Sequence, residues 1–167
     1  MRCAARHLLL AAAAAICAPA NLAAQRVLAA ERQPALVPAF RVDAFIGSAV
    51  GAQVAAGVIG APAYNVRLQF DLGAGGVSRA SGWEPAGRTE FLFRWMSDPF
   101  RRARWAAHAG GGVGLLFERS RVTRPLAIVT MGIEGPVRGR WQPGVEVGLG
   151  GGVRAGMTLR RVRPGRR

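Results

Sequence analysis

The chain has 167 residues, half of which are hydrophobic, and its 23 arginines against 9 acidic residues give a formal net charge of +14. The sequence contains no lysine, and this complete bias to arginine fits a GC-rich genome better than a nucleic-acid surface, which normally uses both basic residues. We therefore expect no nucleic-acid partner. Both cysteines, Cys3 and Cys17, lie in an N-terminal segment that we expect to be removed. The remaining chain then has no disulfide, no thiol nucleophile and no cysteine metal site.

The first 24 residues predict a cleaved signal peptide. Arg2 and Arg6 precede an apolar run, residues 8–18, whose length suits a secretory signal better than a membrane-spanning helix. We expect cleavage after Ala24, with Ala20 as the second choice and an uncleaved anchor helix as the rival hypothesis. The predicted organisation is a signal peptide in residues 1–24, a short tail in 25–38, a β-barrel in 39–161 and a basic tail in 162–167.

From Phe40 onward, apolar residues alternate with glycine and polar residues, and this period of two predicts β-strands. The first two strands are expected to begin near Phe40 and Val50, with a turn near residues 47–49. A break at residues 60–63 precedes a third strand over residues 64–72.

The remaining strands follow the same pattern. We expect a fourth strand over residues 88–96 after a polar loop at 75–87, and a fifth over 104–117. A charged loop at 118–124 precedes a sixth strand over 126–134, and the last two strands form a hairpin, 141–149 and 153–160, around Gly150–Gly152. Most of these strands reach the nine to eleven residues that a tilted strand needs to cross a bilayer. No helical pattern interrupts them, so the sequence predicts an all-β fold, an eight-stranded antiparallel up-and-down transmembrane barrel.

Alternation alone does not show which face of the strands points inward, but the composition of the face opposite the apolar residues does. That face carries glycine and charges of both signs, which suits a narrow lumen in which opposite charges pair across strands. We therefore predict that the apolar face points outward. The expected lumenal charge network is Arg67, Asp71, Glu90, Arg94, Glu134, Glu146, Arg154 and Arg160.

Aromatic residues with the parity of the apolar face collect at one side of the predicted barrel. They are Phe40, Tyr64, Trp95, Trp105 and Trp141. If both chain ends are periplasmic, as an even strand number allows, these residues form an aromatic belt at the level of the lipid head groups. Arginine-rich ends of the barrel would contact anionic lipid head groups.

The chain has a signal segment and eight alternating strands over about residues 39–161, with short turns at 60–63, 97–101 and 135–139 and longer loops at the other end. In these features it resembles the small eight-stranded outer-membrane barrels of the OmpX and OmpA transmembrane-domain type. The resemblance is architectural and includes no residue motif of one family. It implies a monomer in the bacterial outer membrane, with outer-membrane lipid and the barrel-insertion machinery as partners. One departure is the arginine-rich C-terminus, where such barrels commonly end on an aromatic residue that the machinery recognises.

Few residues suggest chemistry. His108 is the only histidine after the signal segment. Some lipid-modifying outer-membrane barrels use a histidine with a serine close to it in sequence and a glutamate, but here Ala109 and Gly110 follow the histidine. We therefore expect His108 to be a structural residue of the lumen. Gly150, Gly152 and Ala155 match the spacing of a dinucleotide fingerprint, but no helical pattern follows them, which favours a hairpin turn. We expect no cofactor, no metal site and no catalysis.

Three functions remain open from the sequence. The leading hypothesis is an outer-membrane barrel with a role in envelope structure, surface contact through its two longer loops, or minor solute passage. The second is a soluble periplasmic β-barrel that binds an apolar ligand, and the third is a lipid-modifying barrel enzyme built on His108. A transmembrane helix over Ala44–Val66 is an alternative to the first strands of the barrel. This segment is free of charge and contains Gly47 and Gly51 in a G-x-x-x-G spacing.

Overall fold

A computed structural model describes residues 36–80, 82–98, 104–119 and 121–162. The predicted signal peptide, both cysteines, residues 25–35 of the N-terminal tail and residues 163–167 of the C-terminal tail lie outside these ranges. Among the described residues, no helix is long and apolar enough to cross a membrane.

Eight antiparallel strands form a closed barrel in which each strand pairs with its neighbours in sequence and the last strand pairs with the first. The strands are β1 (Val37–Gly47), β2 (Val50–Gly60), β3 (Val66–Arg79), β4 (Gly82–Met96), β5 (Ala106–Glu118), β6 (Arg121–Glu134), β7 (Trp141–Leu149) and β8 (Gly152–Arg161). The prediction of an all-β, eight-stranded antiparallel barrel is confirmed. The helix considered over Ala44–Val66 is wrong, because this segment holds the end of β1 and all of β2, joined by a tight turn.

Both segments predicted to be loops belong mainly to strands. Gly75 pairs with Ala86 and Val77 with Glu84, so residues 75–79 and 82–87 form the paired ends of β3 and β4. In the same way, β5 continues to Glu118 and β6 begins three residues later. The prediction was wrong because it required apolar alternation, whereas the hydrogen bonds of a β-ladder join backbone groups and continue through glycine and polar residues.

The relative length of the connections at the two ends is therefore the reverse of the prediction. At the end far from the chain termini, each pair of strands is separated by only two residues. At the end near the termini, the connections are residues 61–65, 97–105 and 135–140. We call these the hairpin end and the terminal end of the barrel.

The described strands have their apolar side chains outside and their charged side chains inside. On β2, for example, Val54 is 61% exposed on the outer surface, while its neighbour Gln53 is 5% exposed. A few apolar side chains, among them Leu92, Met96 and Ile128, do fill the interior. The interior is nevertheless dominated by arginine, aspartate, glutamate and glutamine, which is the opposite of the arrangement in a water-soluble barrel.

Candidate functional site

The centre of the lumen is a network of ion pairs organised around Arg41 on β1. Its Nε lies 2.7 Å from Asp43 Oδ2, and its Nη1 lies 3.0 Å from Asp71 Oδ2 on β3. Its Nη2 donates to Glu90 Oε2 on β4 at 2.5 Å. All four side chains are buried. One guanidinium thus contacts three carboxylates from three strands, which offsets the cost of burying each of them.

The network reaches across the full width of the barrel. Arg154 Nη1 on β8 donates to both oxygens of Glu90 on β4, each at 2.8 Å. These strands are four apart in a ring of eight, so their side chains meet from diametrically opposite walls. Arg88 adds a contact of 2.5 Å between its Nε and Glu90 Oε1, and its Nη2 donates to the carbonyl of Gly150. Charged side chains therefore fill the middle of the lumen, as expected for a barrel of eight strands.

A second carboxylate, Glu146 on β7, connects this centre to the histidine. Arg154 Nη2 donates to its Oε1 at 2.7 Å, and Arg94 on β4 donates to its Oε2. His108 Nε2 lies 3.4 Å from the same Oε2. The histidine is buried, and its Nδ1 has no hydrogen-bond partner within the described protein.

At the terminal end, Glu134 on β6 joins three strands. Arg67 Nη1 on β3 donates to its Oε1 at 2.6 Å, and Arg160 Nη2 on β8 donates to its Oε2 at 3.0 Å. Arg160 also donates to the amide oxygen of Gln142, whose own nitrogen donates to the carbonyl of Gly135 at 2.9 Å. Side chains from three walls thus converge at this end of the lumen as well.

Glycines on the lumenal face make room for these charged residues. Asp71 is opposite Gly57, Glu90 is opposite Gly114, and Arg94 is opposite Gly110 in the strand register; Glu146 lies between Gly132 and Gly156. A Cβ at Gly57 would lie 2.1 Å from Asp71 Oδ1, and one at Gly132 would lie 2.8 Å from the ring of His108. At Gly57 and Gly132, the absence of a Cβ therefore leaves room for the side chains of Asp71 and His108.

All eight residues of the expected charge network have buried or half-buried side chains and make ion pairs with residues on other strands. The prediction omitted Arg41, Asp43 and Arg88, although Arg41 makes the most contacts with carboxylates at the centre. Arg88 has the same parity as Glu90 and Arg94 on β4, and Arg41 and Asp43 on β1 alternate with the outward-facing Phe40 and Val42. Strand parity was therefore the signal that would have found them.

The five residues of the expected aromatic belt all lie at the terminal end. Tyr64 and Trp105 are in the connections between strands, and Trp141 directly follows one. Trp95 is the penultimate residue of β4, and Phe40 lies near the start of β1, where its ring is 6.0 Å from that of Trp141. Phe40, Trp95 and Trp105 are exposed on the outer surface, while Tyr64 and Trp141 are half-buried.

The remaining motifs have no arrangement typical of an active site. Gly150 and Gly151 form the turn between β7 and β8, where Gly151 has a φ of 79°, a conformation that favours glycine. A strand follows this turn where a dinucleotide fingerprint requires a helix. Within the ranges that the structure describes, no group of three or more histidine, cysteine, aspartate or glutamate side chains is placed to hold a metal ion.

No protein-family model matches the chain, and no curated protein is significantly similar to it.

Proposed function

We propose that the chain is a bacterial outer-membrane β-barrel with a structural role in the envelope and no catalytic activity. The observation that supports this proposal is the inversion of the strands, with apolar side chains outward and an ion-paired lumen. In water, the apolar outer face would be exposed to solvent, which is unfavourable. In a bilayer, the same face contacts hydrocarbon, and the charged side chains stay enclosed in the lumen.

The length of the strands agrees with this environment. The thirteen residues of β5 extend about 40 Å at roughly 3.3 Å each, and a tilt of about 45° leaves a height of about 28 Å, close to the roughly 30 Å of a hydrocarbon core. The aromatic residues at the terminal end would then lie at one head-group level. We propose that this end is periplasmic, since β1 begins and β8 ends there.

The filled lumen argues for a structural role and against an open channel. Arg154 and Glu90 meet from opposite walls, and Arg41 lies among three carboxylates beside them. We propose that the barrel acts as a rigid monomeric unit whose partners are the surrounding lipid and the machinery that inserts it.

Neither alternative function gains support from a specific contact. A soluble barrel that binds an apolar ligand requires the apolar row to face inward, and the described strands have it outside. An enzyme built on His108 requires a nucleophile within hydrogen-bond reach of its imidazole. Among the described residues, Nε2 of this buried ring lies 3.4 Å from Glu146 Oε2, and no hydroxyl group is hydrogen-bonded to its Nδ1.

Cell fractionation tests the proposal most directly. The full-length chain, expressed with its own N-terminal segment, should be recovered with the outer membrane, and unheated samples should migrate differently from boiled ones during electrophoresis. The recovered protein should begin at Gln25 if the signal peptide is cleaved as expected. Recovery in the soluble periplasm would contradict the proposal and favour a soluble barrel.

A further inference from the structure

The hairpin end of the barrel carries more positive charge than its carboxylates neutralise. Four arginines and two glutamates lie in the described residues of the two hairpin tips, 79–84 and 117–124. Glu118 is buried, and Arg79 Nη2 donates to its Oε2 at 2.7 Å. Two further arginines surround the same carboxylate at longer distances, Arg121 Nε at 3.8 Å and Arg124 Nη2 at 3.6 Å. We call Arg79, Arg121 and Arg124 the hairpin-end arginine cluster.

Two members of this cluster can bind another anion. The side chains of Arg121 and Arg124 are 46% and 44% exposed, and both contacts to Glu118 are longer than a normal hydrogen bond. A guanidinium has five N–H donors, so one long contact to a single oxygen of Glu118 engages at most one donor of each arginine. Arginine binds phosphate in the same two-bonded geometry that it uses for carboxylate.

The cluster lies at the depth where the outward apolar row of β5 ends, at the rim of the lumen, because Arg121 is opposite the buried Glu118 and Arg124 is opposite the buried Leu116. Val113, Leu115 and Phe117 are exposed on the outer surface, and Glu118 follows directly. If the barrel spans the membrane, these apolar side chains contact acyl chains and the arginines lie at the adjacent head-group level. Val122, 87% exposed between Arg121 and Arg124, adds apolar surface at the same place.

We propose that the hairpin-end arginine cluster binds the phosphate groups of phosphorylated lipids in the outer leaflet. This inference rests on the proposed membrane function. A phosphorylated lipid is favoured over free phosphate because its acyl chains would lie along the outward apolar row at this end, while its head group would reach the exposed side chains of Arg121 and Arg124 at the rim of the barrel.

The test measures binding of fluorescent diphosphorylated lipid A to the full-length folded protein in a non-ionic detergent. Its dephosphorylated form and inorganic phosphate serve as comparison probes. The variant carries Arg121→Gln with Arg124→Gln, and the matched control carries Arg138→Gln with Arg140→Gln in the exposed connection at the other end of the barrel. Heat-modifiable mobility checks that each protein is folded.

We expect the cluster variant to bind the phosphorylated lipid about 25-fold more weakly, because each arginine near an anionic surface contributes about a factor of five. The control should retain wild-type affinity, and added salt should weaken binding to the wild type. Equal affinity for the two lipids, equal losses in both variants, or displacement of the lipid by inorganic phosphate at a similar concentration would each overturn the inference.

These outcomes separate the inference from the proposed function. A protein that fractionates with the outer membrane but does not prefer the phosphorylated lipid contradicts only the role of the cluster. A protein recovered in the soluble periplasm contradicts both.

Discussion

Arg41 shows how strongly a single lumenal residue can determine the stability of this barrel. Its guanidinium contacts Asp43, Asp71 and Glu90, and each of these carboxylates is almost fully shielded from solvent. Removing the cation leaves buried negative charge that neither water nor another free cation can easily reach. A loss of this kind costs far more than the loss of an exposed ion pair.

We therefore expect Arg41→Met to lower the free energy of unfolding by roughly 3–5 kcal/mol, the range found when one partner of a buried ion pair is removed. A urea titration of the detergent-solubilised protein, followed by heat-modifiable mobility, measures this change. Arg138→Met, at an exposed turn, provides the control and should shift the free energy by less than about 0.5 kcal/mol. Similar values for the two variants would show that the network does not stabilise the fold.

At the scale of an element, β5 depends on glycine to lie close to β4. A Cβ added at Gly112 would lie 1.9 Å from the carbonyl oxygen of Phe91, which is backbone and unable to move independently. By contrast, a Cβ at Gly87 on β4 would meet its nearest atom at 3.8 Å, an ordinary contact. The same substitution should thus have different effects at two glycines of neighbouring strands.

We expect Gly112→Ala to destabilise the barrel by about 1–3 kcal/mol, as overpacking typically does, because β5 must move away from β4. Gly87→Ala should be nearly neutral in the same urea titration. If both variants unfold at the wild-type midpoint, the close approach of β5 to β4 is not as the structure describes it.

The outer faces of β5 and β6 provide a second comparison. Val113 lies near the middle of β5, and Val122 lies at the hairpin end of β6; both are exposed. If the barrel spans a bilayer, an arginine costs about 2–4 kcal/mol at the midplane and about 0–1 kcal/mol near the interface.

Val113→Arg should therefore reduce the folded fraction in phospholipid vesicles strongly, whereas Val122→Arg should leave it close to wild type. Protease protection of the inserted barrel measures both. Equal folding of the two variants in vesicles would argue against a lipid-facing outer surface.

At the scale of the whole molecule, the filled lumen determines permeability. Ion pairs connect β4 with β8 and β3 with β6, so side chains from distant walls close the interior at more than one depth. An open pore would require these ion pairs to separate and their side chains to leave the space that they fill, and the lost attraction opposes this change.

We expect the purified wild-type protein to produce no stepwise conductance in a planar bilayer, as in recordings without protein. Successful insertion is verified in the same membranes by protease protection. Regular current steps of constant size would contradict the proposed structural role and favour solute passage.

The sequence by itself determined the secondary structure of this chain, because the period-two alternation depends only on local residue order. It also gave the number of strands, and it predicted the side of the aromatic residues from their positions at strand ends. The residues at which the strands end at the hairpin end could not be predicted from apolar alternation. Residues 75–87 lack apolar alternation, and only the pairing of Gly75 with Ala86 and of Val77 with Glu84 makes them strands.

Only the tertiary structure decided which charges meet. Parity places Arg41, Asp71 and Glu90 in the lumen, but their contact depends on closure of the barrel and on the register between strands separated by up to 49 residues in sequence. The register also places a glycine opposite each of Asp71, Glu90 and Glu146. Local order therefore specifies which way a side chain points, whereas contacts across the lumen are specified by the closed ring of strands.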